Sequence, residues 1–218
     1  MGKRKKTEDL LAVMPLPDGA WQYTDRMIVA LQVAAVMHAG QVRKGSGVPY
    51  LTHLLGTCAI ALEYGANEDE AIAALLHDAI EDVRPTKDAR KAVEWFGAEV
   101  YRIVDGCTDG VPDENGDKPE WGGRKQAYID HLADATRSVL LVSASDKLHN
   151  ARSIVADQRA IGDEVFTRFR KGKNDTLAYY RNLVHAFQGN PASNPALVAE
   201  LDRVVRKMEK LAAASPVS

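Results

Sequence analysis

Apolar residues recur at three- and four-residue spacing through most of this chain, and the alternation that marks a half-buried strand is nearly absent. No other feature restricts the fold as much. It predicts an all-α domain, a single bundle of about eight to ten helices. Asp25 is placed to cap a first helix running through Ile28, Leu31, Ala35 and Val36 to Gly40. Pro49 opens a second, carrying Leu51, Leu54, Leu55, Ile60 and Leu62 to a stop at Gly65. Asn67 opens a third, with Ile72, Leu75, Leu76 and Ile80 inward, that ends near Val83 before Pro85. Further helical stretches are expected at 87–96, 98–105, 122–134, 137–156, 163–187 and 194–213. The Gly-, Pro-, Asp- and Glu-rich stretch between Gly106 and Gly123 breaks the pattern, and reads as a lid over a site or as a mobile connection. The chain divides into an extension over 1–24, one helical domain over 25–187, and a C-terminal helix over 188–218 that packs on it.

A length of 218 residues suffices for one full hydrophobic core. The formal net charge of −2 makes no electrostatic case for a nucleic-acid partner, which would call for a basic excess. The one basic run, Gly2-Lys3-Arg4-Lys5-Lys6, is either a phosphate-seeking arm or, more simply, a solvated tail. Cys58 and Cys107 each lie in apolar sequence and form no CxxC pair, which fits buried thiols in a reducing compartment. No apolar run reaches the roughly 18 residues of a membrane span, and the basic start leads into Thr7-Glu8-Asp9 instead of a signal-peptide core. The expectation is a soluble cytoplasmic protein, a monomer or small homo-oligomer, with neither nucleic acid nor membrane as partner.

Four places in the helical pattern hold polar residues that an apolar core would not select: His53 among Leu51, Leu54 and Leu55; His77-Asp78 after Ala73-Ala74-Leu75-Leu76; Glu81-Asp82 one turn later; and Asp146 after Val139-Leu140-Leu141-Val142. His77 and Glu81 are four apart, as are Asp78 and Asp82, so each pair stacks on neighbouring stripes of one helix face. Joined by His53 and Asp146, this gives a mixed nitrogen–oxygen set that suits Mn²⁺, Fe²⁺ or Zn²⁺ better than Ca²⁺. Each residue alone has a plainer reading as a hydrogen-bonded core histidine, a solvated helix end or a helix cap. The combination shifts the balance, because burying His77-Asp78 beside two more acids is costly unless a cation compensates.

The blocks around these residues carry a resemblance. His38-Ala39-Gly40-Gln41-Val42-Arg43-Lys44, Pro49-Tyr50-Leu51-Thr52-His53, His77-Asp78-Ala79-Ile80-Glu81-Asp82, Phe96-Gly97-Ala98-Glu99-Val100 with Val104-Asp105-Gly106-Cys107-Thr108-Asp109, and Asp146-Lys147-Leu148-His149-Asn150-Ala151-Arg152 resemble, in order, the hydrolase domain of RelA/SpoT-homologue proteins, within the HD superfamily. The resemblance covers residues 25–187. Two departures stand out: Ser143 occupies the place where a lysine often precedes the last aspartate by three residues, and the chain ends at Ser218 with no synthetase domain expected. The sequence is therefore similar to a small alarmone hydrolase dedicated to breakdown.

The resemblance implies that His53, His77, Asp78 and Asp146 hold one Mn²⁺ and that Glu81 and Asp82 position and deprotonate the attacking water. It implies removal of the 3′-pyrophosphate from ppGpp, pppGpp or ppApp. Arg43 and Lys44 match positions facing the base and phosphates, with solvated loop charges as the alternative. Tyr50 reads equally as a wall of the nucleotide pocket or as packing. Asn150, four residues after Asp146, is expected to bond the ribose or a phosphate. Lys173 and Tyr179, with Lys125 behind them, resemble pocket-lining positions, and read equally as surface charge and core aromatic. His38, His131, His149 and His185 are assigned structural roles. The rival readings are another HD nucleotide phosphohydrolase, acting on ppApp, NADPH or a deoxynucleotide, and a non-catalytic nucleotide-sensing module.

Overall fold

A computed structural model describes residues 23–111 and 120–214. Its elements, in chain order, are α1 (Asp25–Met37), α2 (Leu51–Glu63), α3 (Glu68–Leu76), α4 (Ala79–Asp82), α5 (Thr86–Glu94), α6 (Ala98–Cys107), α7 (Trp121–Leu132), α8 (Arg137–Ile161), a 3₁₀ helix (Gly162–Arg168), α9 (Gly172–Gly189) and α10 (Pro195–Ala214). Among the described residues the only β-pairing is an isolated antiparallel bridge between Val42 and Pro49. The basic N-terminal run and the centre of the expected lid, 112–119, lie outside the described residues.

Helix α8 is the axis of the bundle. Its first half, Val139 through Asp146, is buried on every side, the pattern of a helix surrounded by others. Helices α2, α3, α6 and α10 all pack on it. Leu54, Ile72, Leu75, Leu76, Ile103, Leu140, Leu141, Leu148, Phe166 and Phe187 fill the space between. The C-terminal helix contributes Leu197, Leu201, Val205 and Met208 to the same apolar cluster.

Four local expectations are corrected. Thr24, not Asp25, caps α1: its side chain accepts from the Arg26 amide, and its hydroxyl donates to Glu68 at 2.9 Å. The inward face of α1 is Ala30 and Ala34, while Ile28, Leu31 and Val36 are exposed. The small side chains let α1 lie close against α3, itself carrying Ala71, Ala73 and Ala74, and the bulkier stripe is turned out. Leu55 on α2 is exposed for the same kind of reason, since the opposite face carries His53, Leu54, Thr57 and Cys58 inward. The expected 163–187 helix is two elements. Gly162 ends α8 at φ 63, a 3₁₀ segment anchors Val165 and Phe166 in the core, and an extended Phe169 turns the chain into α9.

The connection from α9 to α10 is tied to the end of α7 by one side chain. Buried Asn190 donates its amide to the carbonyls of Leu132, Ala133 and Ala135, at 2.9, 3.0 and 3.2 Å. These are carbonyls at a helix end that the helix cannot satisfy itself. Asn190→Ala is expected to destabilise the fold by about 2–3 kcal/mol, because buried acceptors lose their donor. Equilibrium chemical denaturation measures it, and a loss below about 0.5 kcal/mol would show that water replaces the amide freely.

Candidate metal centre and active site

Two helices and one helix break build the centre. His53 is the third residue of α2, Asp146 lies midway along α8, and His77-Asp78 form the junction between α3 and α4. The sequence suggested an unbroken helix through that junction. Instead, α3 ends at Leu76 and α4 begins at Ala79, and His77 Nδ1 lies 2.9 Å from the Ala74 carbonyl in the last turn of α3. Asp82 N still bonds Asp78 O at 2.9 Å, so the acids remain one turn beyond the junction.

The side-chain tips converge. His53 Nε2 lies 3.2 Å from His77 Nε2, 3.5 Å from Asp78 Oδ2 and 3.2 Å from Asp146 Oδ1. His77 Nε2 lies 3.1 Å from Asp78 Oδ2 and 3.6 Å from Asp146 Oδ1. Ligands about 2.1 Å from one ion are separated by about 3.0 Å at octahedral neighbours and about 3.4 Å at tetrahedral ones. The observed spacings fit that range. Because a carbonyl only accepts, His77 Nδ1 carries a proton, and its Nε2 lone pair faces the cluster when the ring is neutral. Two nitrogens and two carboxylate oxygens without thiolate suit a borderline divalent ion. His53, His77 and Asp146 alone already bring one donor atom each within 4.8 Å of one another.

The electrostatics express the same demand. Burial disfavours the His77 imidazolium, yet the neighbouring Asp78, with hydrogen bonds to Asp146 and Asp78, holds its pKa well above the usual 6.5. Burial would raise Asp78, but His77 and the hydrogen bond to His53 hold it well below the usual carboxylate range. Asp146 is likewise held low against burial, first by the Lys147 ammonium and then by the two imidazoles. A proton on His77 thus stands where a cation would.

Around the four tips the partners differ from those expected. Tyr50 is neither a free pocket wall nor plain packing: its hydroxyl donates to Asp78 Oδ2 at 2.6 Å and lies 3.4 Å from Asp82. Asn150 donates to Asp146 Oδ1 at 2.5 Å and accepts from Arg43 at 2.7 Å, so it links an expected cation to an expected ligand. Lys44 is exposed in the same loop, which is closed by Arg43 N to Val48 O and Tyr50 N to Gln41 O. Glu81 faces Arg124 at 3.9 Å and the Asp109 amide at 3.5 Å. Lys125 is paired with Asp109 and lies 4.9 Å from the Tyr179 ring centre; burial, with Lys147 and Arg124 nearby, pushes its pKa down to about 7. The Tyr179 hydroxyl is buried and has no hydrogen-bond partner among the described residues. Lys173 is engaged elsewhere, donating to Asp163 at 2.5 Å and the Ala212 carbonyl at 2.6 Å, so it is not among the cations gathered near the ligands.

Two residues enter that the sequence did not single out. Lys147 donates to Asp146 Oδ2 at 2.6 Å. His149, assigned a structural role, places its Nδ1 2.9 Å from His53 Nδ1. Its pKa is pushed down to about 4 by burial, then by His53 and Arg43, so the ring is neutral. Both lie within one turn of Asp146, the only signal available for them.

An all-α bundle with buried histidines and aspartates meeting between helices defines a class, and the comparisons agree with it. A family model described as the HD domain matches residues 30–171. The chain belongs to the HD-domain family, in its RelA/SpoT-homologue branch. It is 34% identical over 131 residues to a zebrafish (Danio rerio) protein named guanosine-3′,5′-bis(diphosphate) 3′-pyrophosphohydrolase MESH1, covering 59% of this chain and 68% of that one. It is 39% identical over 125 residues to a probable GTP pyrophosphokinase of Mycobacterium leprae, covering 57% of this chain but only 15% of that longer protein. The solved structure of a metazoan SpoT ortholog shares the fold with a TM-score of 0.67 at 24% identity, over 86% of this chain and 98% of the other. The buried His53–His77–Asp146 group, in a chain of this family, has the donor set and spacing to hold a divalent metal. Among the described residues no helix is long and apolar enough to cross a membrane.

A pH dependence follows from His77. Its raised pKa stabilises the metal-free fold below about pH 6.5, and that contribution is lost as pH rises through the folded value. Asp78 and Asp146 contribute above the usual 3.8, and lose it only on acidification through their lowered values. Metal must displace the His77 proton, so its affinity and the rise in Tm it produces are expected to grow with pH above 6.5. Titration calorimetry in two buffers of different ionisation enthalpy measures the released proton. A pH-independent affinity would contradict it.

Proposed function

We propose that this protein is a metal-dependent 3′-pyrophosphohydrolase of (p)ppGpp-type alarmone nucleotides, with Mn²⁺ as the ion and His53, His77, Asp78 and Asp146 as its ligands. The convergence of those four tips beside two further acids carries the reading. The zebrafish relative, named for this reaction, is spanned over two thirds of its length. The M. leprae relative is named for nucleotide pyrophosphokinase activity, and this chain spans too small a share of it to inherit that name.

A divalent ion, held by His53, His77, Asp78 and Asp146, would supply Lewis acidity to the attacked phosphoryl group and to its nucleophile. The chain supplies the rest. Glu81 and Asp82 position the attacking water and take up its proton, Glu81 itself oriented by Arg124 and the Asp109 amide. The water oxygen forms a bond to the inner phosphorus of the 3′-diphosphate. The bond from that phosphorus to the ribose 3′-oxygen breaks, and the leaving oxygen takes up a proton. Pyrophosphate and a free 3′-hydroxyl result. Arg43, Lys44 and Lys125 offer charge to the polyphosphate, with Asn150 and Tyr179 as neutral partners. Lys173, held by Asp163, has no part in this scheme.

The test is incubation of the purified protein with ppGpp, pppGpp and ppApp plus Mn²⁺, with products resolved by ion-exchange chromatography. Pyrophosphate is the expected product, and simple phosphate monoesters should be poorer by at least about a hundredfold in kcat/KM, roughly 2.7 kcal/mol of transition-state binding. Arg43→Ala should narrow that gap by slowing the alarmone and sparing the monoester. Glu81→Gln or Asp82→Asn should lower kcat about a hundredfold or more while Mn²⁺ binding is kept. Equal rates on monoesters, with no pyrophosphate formed, would assign the protein to the generic HD phosphatases.

A further inference from the structure

We infer that His149 is a positioning residue of the metal centre: its Nδ1 accepts the Nδ1–H of His53 and so turns the His53 Nε2 lone pair toward the ion, in a niche that Gly56 keeps open. The inference rests on the ligand reading above.

His53 Nδ1 and His149 Nδ1 are 2.9 Å apart, with ring centres 4.9 Å apart and planes at 48°. A hydrogen bond there needs one protonated nitrogen and one lone pair. Were His149 the donor, a neutral His53 would carry its proton on Nε2, the atom 3.2 Å from both His77 Nε2 and Asp146 Oδ1, and could not ligate. The ligating tautomer of His53 has the proton on Nδ1, and His149 Nδ1 must then be the acceptor. This makes His149 the counterpart of the Ala74 carbonyl, which fixes His77 in the same way. Such partners of ligating histidines set ring orientation and ligand basicity.

The second observation is independent of hydrogen bonding. Gly56 lies inside α2, one turn beyond His53, where glycine costs about 1 kcal/mol relative to alanine. A Cβ there would stand 2.2 Å from both Cδ2 and Nε2 of His149. Those are ring atoms on a short side chain held from behind by α8, so they cannot swing aside without leaving His53. The glycine thus admits the imidazole of one helix into the surface of the other. Asp146 and His149 are three residues apart on α8, and one helix therefore supplies both a ligand and the residue that orients a ligand on its neighbour.

The test is Mn²⁺ titration of the chelator-stripped full-length chain, with the visible spectrum of the Co²⁺-loaded protein as a second readout. His149→Leu is expected to weaken Mn²⁺ binding by about 10- to 100-fold and to alter the Co²⁺ bands, whereas His149→Asn, which keeps an acceptor oxygen at the Nδ1 position, should restore most of the affinity. Gly56→Ala should reproduce the loss when His149 is present and add little to His149→Ala, since it acts through the ring. Thermal melts of the metal-free variants separate this from misfolding: a variant as stable as the parent that still loses Mn²⁺ supports the inference. Unchanged Mn²⁺ affinity and Co²⁺ spectrum in His149→Leu would overturn it, as would equal losses in the Leu and Asn variants. His53→Ala tells the two levels apart. If it too keeps full affinity, the ligand reading itself has failed; if it loses the ion while His149→Leu does not, only the positioning role has.

Discussion

Two carboxylates and two imidazole nitrogens aimed at one buried point form an arrangement that a protein interior opposes. At neutral pH the Asp78 and Asp146 charges repel one another, and among the described residues Lys147 is the one ammonium in direct contact with either. The remaining negative charge is balanced by a proton on His77 or by a cation. Much of the bundle can be understood as the means of holding this arrangement together without it. Each tip is tied from behind: His77 by the Ala74 carbonyl, Asp78 by Tyr50, Asp146 by Lys147 and Asn150, His53 by His149. Each tie removes freedom from a ligand, so that a cation meets a nearly formed site and does not have to order it.

The same ties connect the centre to its surroundings. Arg43 reaches Asp146 through Asn150, and the loop that carries Arg43 also carries Tyr50, which reaches Asp78. A polyphosphate that draws Arg43 toward itself therefore acts on a hydrogen bond to Asn150. On the other side, Lys125, Arg124 and Asp109 form a partly buried group around Glu81. Two sets of positive charge thus flank one row of acids, a distribution suited to a substrate carrying phosphates at more than one position.

How far this could be read from sequence depended on the kind of signal. Helical periodicity located the elements because it sums over many residues. It failed for α1, where Ile28, Leu31 and Val36 are exposed and Ala30 and Ala34 are buried, since hydrophobicity alone does not say that a close helix approach needs small side chains. The meeting of His53, His77, Asp78 and Asp146 was legible because buried ionisable residues have few reasons to exist. Their partners were not. Tyr50, Lys147 and His149 are ordinary residue types whose roles depend on a helix crossing, and Lys173 resembled a pocket lysine until the 3₁₀ segment and α10 were in place to hold it.

The clearest case is Ser143. In the sequence it stood as a departure, a serine where a lysine often precedes the last aspartate by three residues. In the structure Ser143 is buried and accepts the Tyr128 hydroxyl at 2.8 Å, while Lys147 lies with its ammonium 5.1 Å from the Tyr128 ring centre and 2.6 Å from Asp146 Oδ2. Positions 143 and 147 are one turn apart on the same face of α8, so an ammonium reaching back from 147 arrives where one reaching forward from 143 would end. Two lysines there would repel in a space whose burial and positive neighbours already hold Lys125 down to about 7. The serine is therefore the consistent partner of Lys147: it leaves room for a single buried cation and anchors the aromatic ring beneath it.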